Sequence, residues 1–265
     1  MHATVGAVSI TEDAPVAVRR SPVRLPGPAR MDSPWRWLVA ASAAVLLGTA
    51  LALTAWWAAT RETRITSYRV VGTLSAIELQ LEDADVEVVG AGGGAVAVRR
   101  TDALAFDRRP AERRAVEDGV LKIGSRCPEI VVGTCRSDYR IAVPDNVQLT
   151  LRTTSGRVRM TGVNASARIE TMTGSIAVDG FCGFSLVATT EGGDVSARTN
   201  CSPERVELRS GSGSIHAVVP TGRYRVDAES AGGTARVRGL IDADDASFQV
   251  QAISGGADVL VEGRQ

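Results

Sequence analysis

The second half of the chain repeats one short unit six times, and this repeat constrains the fold more than any other feature. Each copy has a glycine anchor, with apolar residues seven and five positions before it and two and four positions after it. The anchors are 18, 19, 20, 20 and 22 residues apart. Such a fixed period is typical of stacked repeat proteins. The six anchors are Gly156, Gly174, Gly193, Gly213, Gly233 and Gly255.

Within each copy, apolar residues alternate with polar ones, which is the period-two pattern of a half-buried strand. The glycine-containing step between two strands is expected to be a turn, because glycine adopts positive φ without steric cost. One unit cannot bury its apolar edge alone, so successive units should stack with parallel strands in register. The sequence therefore predicts an all-β domain, a parallel β-solenoid of ~18–22-residue coils. An antiparallel sandwich is the alternative, but it does not need so constant a period.

The same spacing extends upstream of the six copies. Apolar residues at the same offsets place Ala84 at an anchor position, 72 residues before Gly156. That distance predicts about four further coils between the two, and roughly ten coils in all. Such a stack would be a rod on the order of 50 Å long.

Four cysteines bear on both the coil register and the cellular compartment. Cys182 and Cys201 each lie eight residues after an anchor, so in neighbouring coils their Cα atoms should be within disulfide range. Their bridge would stabilise the fold by about 3 kcal/mol. Cys127 and Cys135 would close a small local loop. Four reduced thiols are the alternative, and zinc is not expected because the chain has two histidines and no CxxC spacing.

A 24-residue uncharged stretch lies between Arg36 and Arg61 and is long enough to cross a bilayer as a helix. All four tryptophans flank it, as in the aromatic belts of membrane helices. More arginines precede the stretch than follow it, which favours a cytoplasmic N-terminus. A cleaved signal peptide is the alternative, but its apolar region is usually shorter. We therefore expect an uncleaved single-pass anchor at residues 35–60 of a cell-membrane protein, with residues 61–265 outside, where disulfides form.

The other boundaries follow from composition. Residues 1–34 hold five of the ten prolines and are expected to be a disordered cytoplasmic tail. Residues 61–76 are expected to be a juxtamembrane linker, and residues 77–265 the extracytoplasmic solenoid domain. The zero net charge gives no reason to expect a nucleic-acid partner. Arginine is used almost to the exclusion of lysine, with much Ala, Gly and Val, which suggests an actinobacterial genome of high GC content.

Candidate catalytic residues are few. His216 is expected to be a solvated residue on an outward strand position. Asp227 and Glu229 alternate on one outward face, and Asp194 and Asp258 follow their anchors on separate coils. Paired carboxylates could cleave a polysaccharide, but a solvated charged face is the simpler interpretation. No GxSxG, HExxH or phosphate-loop motif occurs, so we expect no enzymatic activity, no cofactor and no metal.

The repeat is interrupted between Arg99 and Asp118 by a segment rich in arginine. We expect an irregular coil with a solvent-facing edge, and the alternative is a patch for anionic ligands. The arginines are Arg99, Arg100, Arg108, Arg109, Arg113 and Arg114.

Two kinds of motif carry a resemblance to a known family. Recurrent SG-x-[VI] and TG-x-[VI] turns occur at Ser155–Gly156, Thr173–Gly174 and Gly213. The segment DYRIAVP, from Asp138 to Pro144, precedes the repeats. Over roughly Ile77 to Gly263 the chain resembles the bacterial putative-adhesin family, a group of β-solenoid domains often fused to a membrane helix. The resemblance implies a binding role without catalytic residues, and some relatives are associated with cell-envelope stress systems.

These observations together predict a non-catalytic adhesive or scaffolding surface at the bacterial cell envelope. Its partner would be a cell-wall polymer or an envelope protein, and residues 35–60 would contact the membrane. One alternative is an accessory protein of an envelope-stress or signalling system that binds a membrane partner. The other is a polysaccharide-active β-helix enzyme.

Overall fold

The structure, a computed structural model, describes residues 34–59, 62–104, 110–128 and 136–264. The expected disordered tail, residues 1–34, lies almost wholly outside the described residues. The chain divides into two compact units between Ala52 and Leu53, within the N-terminal helix, and the helix and the β-domain are described separately.

The helix, α1, runs from Pro34 to Ala59. Its segment Trp37–Trp56 has a mean hydropathy of 2.1, and none of it is buried against the protein. Twenty helical residues extend about 30 Å, the thickness of a bilayer core. By length and composition, α1 therefore fits a membrane anchor or a signal sequence, and it is not the core helix of a globular domain.

Twenty strands lie in the described part of the β-domain. The first ten are β1 (Glu62–Val71), β2 (Ala76–Asp83), β3 (Val86–Ala91), β4 (Ala95–Leu104), β5 (Ala111–Glu117), β6 (Val120–Arg126), β7 (Arg136–Pro144), β8 (Gln148–Ser155), β9 (Val158–Thr161) and β10 (Ala167–Thr171). The others are β11 (Ile176–Phe181), β12 (Ser185–Thr190), β13 (Val195–Thr199), β14 (Arg205–Ser210), β15 (Ile215–Pro220), β16 (Arg223–Ser230), β17 (Ala235–Arg238), β18 (Ile241–Asp242), β19 (Gln249–Ser254) and β20 (Val259–Arg264).

The strands form two ten-stranded sheets, and each coil contributes one strand to each sheet. Sheet A has the order β1-β4-β7-β3-β9-β11-β13-β15-β20-β17, and sheet B has the order β18-β16-β19-β14-β12-β10-β8-β2-β6-β5. The pairing is parallel throughout the repeats and antiparallel only for β1–β4, β4–β7 and β5–β6. The domain is thus a largely parallel stack of β-coils, closed at one end by antiparallel strands, as the period predicted in outline.

The core lies between the two sheets and consists of the alternating apolar positions. In sheet B, Leu149 pairs with Ala167 and Leu151 with Ile169, and all four are buried. Identical faces therefore stack directly on one another, which excludes water from the interior. The same alternation recurs in sheet A, for example at Val158 and Ile176.

The anchors are glycines chiefly because neighbouring turns approach closely. A Cβ on Gly174 would lie 1.8 Å from the carbonyl oxygen of Gly156, and one on Gly193 would lie 2.1 Å from that of Gly174. Of the six predicted anchors only Gly156 has a positive φ, of 107°. The expectation that positive φ selects glycine at every anchor was therefore wrong, since close backbone approach is the commoner cause.

A buried hydroxyl column joins the turns, and the sequence analysis missed it. Thr190 accepts a hydrogen bond from its own anchor N–H, at Gly193 (3.1 Å), and donates one to the Gly174 carbonyl in the next coil (2.9 Å). The acceptor contact recurs in copies two to six at 2.8–3.2 Å. The column consists of Thr153, Thr171, Thr190, Ser210, Ser230 and Ser254.

The sixth copy uses a different anchor from the one predicted. Val250 pairs with Val206, and Ser254 accepts from the N–H of Ala257, so Ala257 occupies the anchor position instead of Gly255. A slip of two residues keeps every side chain on the same face, so the period-two pattern could not detect it. Phe248, predicted to face inward, is consequently 38% exposed.

The coils do not stack in chain order, contrary to expectation. The sixth copy, β19 and β20, lies between the fourth copy (β14 and β15) and the fifth (β16 and β17). At the other end, β2 and β3 pair directly with β8 and β9. Ala84 and Gly156 are thus in adjacent coils, and the expected four coils between them do not exist. The described stack therefore has eight coil levels. Within residues 95–144, β6 and β7 form the terminal level, and β4 and β5 are additional antiparallel strands.

The expected linker, residues 61–76, is mostly strand. β1 pairs with β4 over its full length, and Tyr68 and Val70 pack against the core. The sequence did not predict β1, because many of its residues are charged or carry a hydroxyl group. An edge strand needs apolar residues on one side only, so its alternation is less evident.

Candidate functional site

Cys182 and Cys201 form a disulfide, with their Cα atoms 4.9 Å apart. They follow β11 and β13, which pair in parallel in adjacent coils. The bridge closes a span of 19 residues and is worth about 3 kcal/mol by loop-closure entropy. It therefore ties two coils together at one edge of the stack.

The second predicted pair is only partly described. Cys127 is disulfide-bonded, whereas Cys135 lies outside the described residues. The pairing of Cys127 with Cys135 remains a prediction.

Two of the candidate carboxylates accept hydrogen bonds from turn residues of neighbouring coils. Asp194 accepts hydrogen bonds from the backbone N–H (2.7 Å) and hydroxyl (2.8 Å) of Ser214. Asp258 accepts the equivalent pair from Thr234, at 2.8 and 3.1 Å, and these bonds lower its pKa. Both carboxylates follow an anchor by one residue, and they sit two strand spacings, or roughly 10 Å, apart. They stabilise turns and do not form a pair.

The other candidates lie on outward positions. Asp227 accepts a hydrogen bond from Gln251 at 2.7 Å, and Glu229 is exposed. His216 Nε2 lies 3.2 Å from Glu262 Oε2, and about half of its side chain is exposed. In the part of the chain that the structure describes, no three His, Cys, Asp or Glu side chains come together as a metal site.

The arginine-rich segment forms strands instead of the expected irregular coil. β4 and β5 are separated by residues 105–109, which include Arg108 and Arg109 and lie outside the described residues. Antiparallel pairing with β7 and β6 gives these strands their order. The segment places Arg99 on the outer face of sheet A and Arg100 in the interior.

A buried ionic network at this end centres on Arg100. Its Nε lies 2.5 Å from Asp102 Oδ1, its Nη1 lies 2.7 Å from Glu112 Oε2, and its Nη2 donates to the Pro110 carbonyl at 2.9 Å. Burial lowers the pKa of Arg100, but the hydrogen bonds to the carboxylates outweigh it and the net shift is upward. Ser137 also donates to Asp102, at 2.7 Å. The network fixes the terminal strands.

Two tyrosines complete the network. Tyr68 donates to Glu112 Oε1 at 3.0 Å, and Tyr139 donates to Oε2 at 3.3 Å. Burial raises the pKa of Tyr139 to about 12 and, together with Glu112, raises that of Tyr68 further. Arg114 covers the Tyr68 ring, with its guanidinium carbon 4.2 Å from the ring centroid. The phenols therefore stay protonated at neutral pH and act as donors.

The outer face of sheet A carries a row of charged residues in strand register. Arg99 pairs with Arg140, Arg140 with Glu87, and Glu87 with Arg159. With strands about 4.8 Å apart, this row spans roughly 14 Å. Arg99 and Arg140 are like charges directly opposite each other, an arrangement that destabilises a sheet unless an anion lies nearby. We call these four residues the arginine row.

Three shallow depressions follow this face and share residues. A 480 Å³ depression contains all four members of the arginine row. A 510 Å³ depression shares Arg99 and Arg140 with it and extends to Arg69. A 310 Å³ depression shares Arg159 and extends to His216. Because consecutive depressions share residues, they adjoin one another across the strands, and we call the three together the sheet A trough.

The geometry defines the class of the protein as a β-repeat protein with parallel stacked coils and solvent-exposed polar faces. The profile of the Toastrack DUF4097 family matches residues 117–257, which is more than half of the chain. The chain belongs to this family, and the resemblance drawn from its turn motifs is confirmed. None of the curated proteins compared with the chain matches it.

Several solved structures are similar to the chain at low identity. A putative cell adhesion protein from Clostridium sporogenes is 11% identical, with 77% of this chain and all of that chain covered and a TM-score of 0.47. A putative adhesin from Parabacteroides merdae is 12% identical, with coverages of 76% and 97% and a TM-score of 0.37. A putative lipid binding protein from Parabacteroides distasonis is 14% identical, with coverages of 77% and 95% and a TM-score of 0.30.

Proposed function

We propose that the protein is a non-catalytic binding module of the cell envelope, held at the membrane by α1, with the β-domain outside the cell. Its role is adhesive or scaffolding, and its partner is a cell-wall polymer. The disulfide between Cys182 and Cys201 supports an oxidising, extracytoplasmic location. The apolar length of α1 supports membrane anchoring.

One observation carries the binding role: outward side chains of successive coils stand in register over the whole stack. Arg152 aligns with Glu170, Glu170 with Thr189, and Thr189 with Arg209. Each row therefore repeats a side chain about every 4.8 Å along the stack. A partner with its own linear repeat can contact such rows at several points at once, so many weak contacts add up.

Co-sedimentation with isolated bacterial cell wall tests this role. The full-length chain in non-ionic detergent should pellet with the wall in a saturable way, in low and in moderate salt. The peptide 34–59 in the same detergent controls for pelleting caused by the helix or the micelle. If the full-length chain pellets no more than this peptide, the wall is not the partner.

Membrane topology needs a separate measurement. Protease added to intact cells should digest the β-domain and leave the segment before α1 protected. Protection of the β-domain in intact cells would place it on the cytoplasmic side and refute the proposed location.

A further inference from the structure

The outer face of sheet A has a local excess of positive charge, although basic and acidic residues balance over the whole chain at 30 each. The sheet A trough holds six arginines against four carboxylates, a net charge of +2 by subtraction. The arginines are Arg69, Arg99, Arg140, Arg157, Arg159 and Arg198, and the carboxylates are Asp85, Glu87, Asp138 and Asp179.

The carboxylates of this face are already engaged. Arg136 contacts both Asp85 and Asp138, in the latter case at 3.0 Å. Glu87 lies 3.7 Å from Arg140. Across the described ranges, four arginines of the trough have no carboxylate within ion-pair distance, namely Arg69, Arg99, Arg157 and Arg159.

Outward arginines in the middle of sheet B are paired with carboxylates. Arg152 lies 2.8 Å from Glu170, and Arg209 lies 2.8 Å from Glu207. Each of these guanidinium groups has a carboxylate partner on its own face, unlike Arg99 and Arg159 of sheet A.

The trough has the shape of a channel for an extended ligand. It crosses eight neighbouring strands of sheet A, from β1 to β15, a length of roughly 34 Å at ordinary strand spacing. Its floor contains small side chains, including Ala97, Ala142, Ala177 and Ser196. Small residues between long arginines leave room for a chain to lie across the strands.

We propose that the sheet A trough binds a linear polymer that bears phosphate groups. This proposal rests on the proposed function and names its ligand class. A planar guanidinium binds a phosphate through two parallel hydrogen bonds. Arg99 and Arg159 stand in one cross-strand row, and Arg69 and Arg157 are displaced from it by two residues along their strands. The uncompensated arginines are therefore spread along the trough and do not converge on one point, so a single phosphate would reach only a neighbouring pair such as Arg99 and Arg140. A chain of phosphates can meet the whole row.

The test measures binding of inorganic polyphosphate to the full-length chain in phosphatidylcholine nanodiscs by calorimetry. Arg99→Gln with Arg159→Gln removes two uncompensated charges from the trough. The matched control is Arg168→Gln with Arg209→Gln, which removes the same charge from sheet B. We expect the trough variant to bind about tenfold more weakly and the control to stay within about twofold of the wild type. Thermal unfolding of both variants checks that each is folded.

Three results would overturn the proposal. Equal weakening in both variants would show a net-charge effect with no site. Orthophosphate binding as tightly as polyphosphate, at equal phosphate concentration, would show a site for a single phosphate. Equal or tighter binding to phosphatidylglycerol vesicles, with the same dependence on Arg99 and Arg159, would make a lipid surface the ligand.

The wall co-sedimentation separates this proposal from the proposed function. If the trough variant pellets with cell wall like the wild type and the wild type does not bind polyphosphate, the wall-binding function stands and the phosphate ligand is wrong. If the wild type binds polyphosphate through the trough but does not pellet with wall, the site stands and the wall partner is wrong.

Discussion

Replacing Thr190 by valine tests whether the buried hydroxyl column, in addition to apolar packing, holds successive coils together. Valine keeps the volume and removes only the hydroxyl. It leaves the Gly193 N–H and the Gly174 carbonyl without the partner they have now, at 3.1 and 2.9 Å. Thr190 is 2% exposed, so water cannot readily replace these bonds. Each unsatisfied buried group costs about 1–3 kcal/mol, so the variant should lose about 3 kcal/mol.

Serine at the same position keeps the hydroxyl and loses one buried methyl, which costs about 1 kcal/mol. Serine already fills this position in copies four to six. For a domain of this size each kcal/mol shifts the melting temperature by about 2–4 °C. We therefore expect Thr190→Val to lower Tm by about 6–12 °C and Thr190→Ser by about 2–4 °C.

Circular dichroism melts of the full-length chain in detergent measure both values. Thr189→Val is the control, because Thr189 is the adjacent residue on the outward side and should change Tm little. If Thr190→Val is as stable as Thr190→Ser, the hydroxyl column contributes nothing and apolar packing alone holds the coils together.

Other substitutions compare a residue that has a structural role with a neighbour that has none. Gly193→Ala should destabilise the fold by about 1–3 kcal/mol by forcing adjacent turns apart, whereas Gly192→Ala meets only ordinary contact at 3.6 Å, and equal melting temperatures would refute the close-approach argument. Arg100→Gln removes the guanidinium that Asp102 and Glu112 share, leaves Glu112 with only the half-exposed Arg114 as an ion-pair partner, and should cost about 3–5 kcal/mol. Arg99→Gln, on the exposed face, should cost under about 0.5 kcal/mol, and chemical denaturation measures the difference. Because burial raises the pKa of Tyr139 to about 12, the stability that its protonated phenol contributes should be complete below pH 10 and lost as the pH rises through about 12. Ultraviolet titration should show one ionisation fewer near pH 12 in Tyr139→Phe, and an unchanged curve there would contradict the assigned burial.

Most of the fold could be predicted from the repeat, because the apolar residues and the glycine of each copy mark the positions of its two strands and of the turn between them. The alternation from Leu149 onward predicted the buried side chains of the first four copies, but it was wrong for Ala235 and Val237, which are exposed on the last strand of sheet A. The common offset of Cys182 and Cys201 from their anchors predicted which cysteines meet. Both inferences depend on local spacing, which a sequence records directly.

The order in which the coils stack could not be predicted in the same way. Nothing in the 72-residue spacing of Ala84 and Gly156 indicates that the chain between β3 and β8 forms the terminal level and then returns to the neighbouring coil. Nor does the period reveal that the sixth copy stacks on the fourth, since every copy presents compatible apolar faces to any other. The arginine row was hidden for a related reason: Arg99, Arg140 and Arg159 belong to three distant segments, and only the pairing of their strands brings them together.

The position of the sixth copy affects the order in which the domain can assemble. A repeat protein stacked in chain order can add each unit to the last as the chain emerges, with every contact local in sequence. Here β16 and β17 have no finished surface to join until β19 and β20 have been made and have docked on β14 and β15. Assembly of this end must wait for a later part of the chain, and such nonlocal pairing is intrinsically slow. During synthesis the fifth copy would be exposed with an unpaired edge, so chaperones would have a defined interval in which to act.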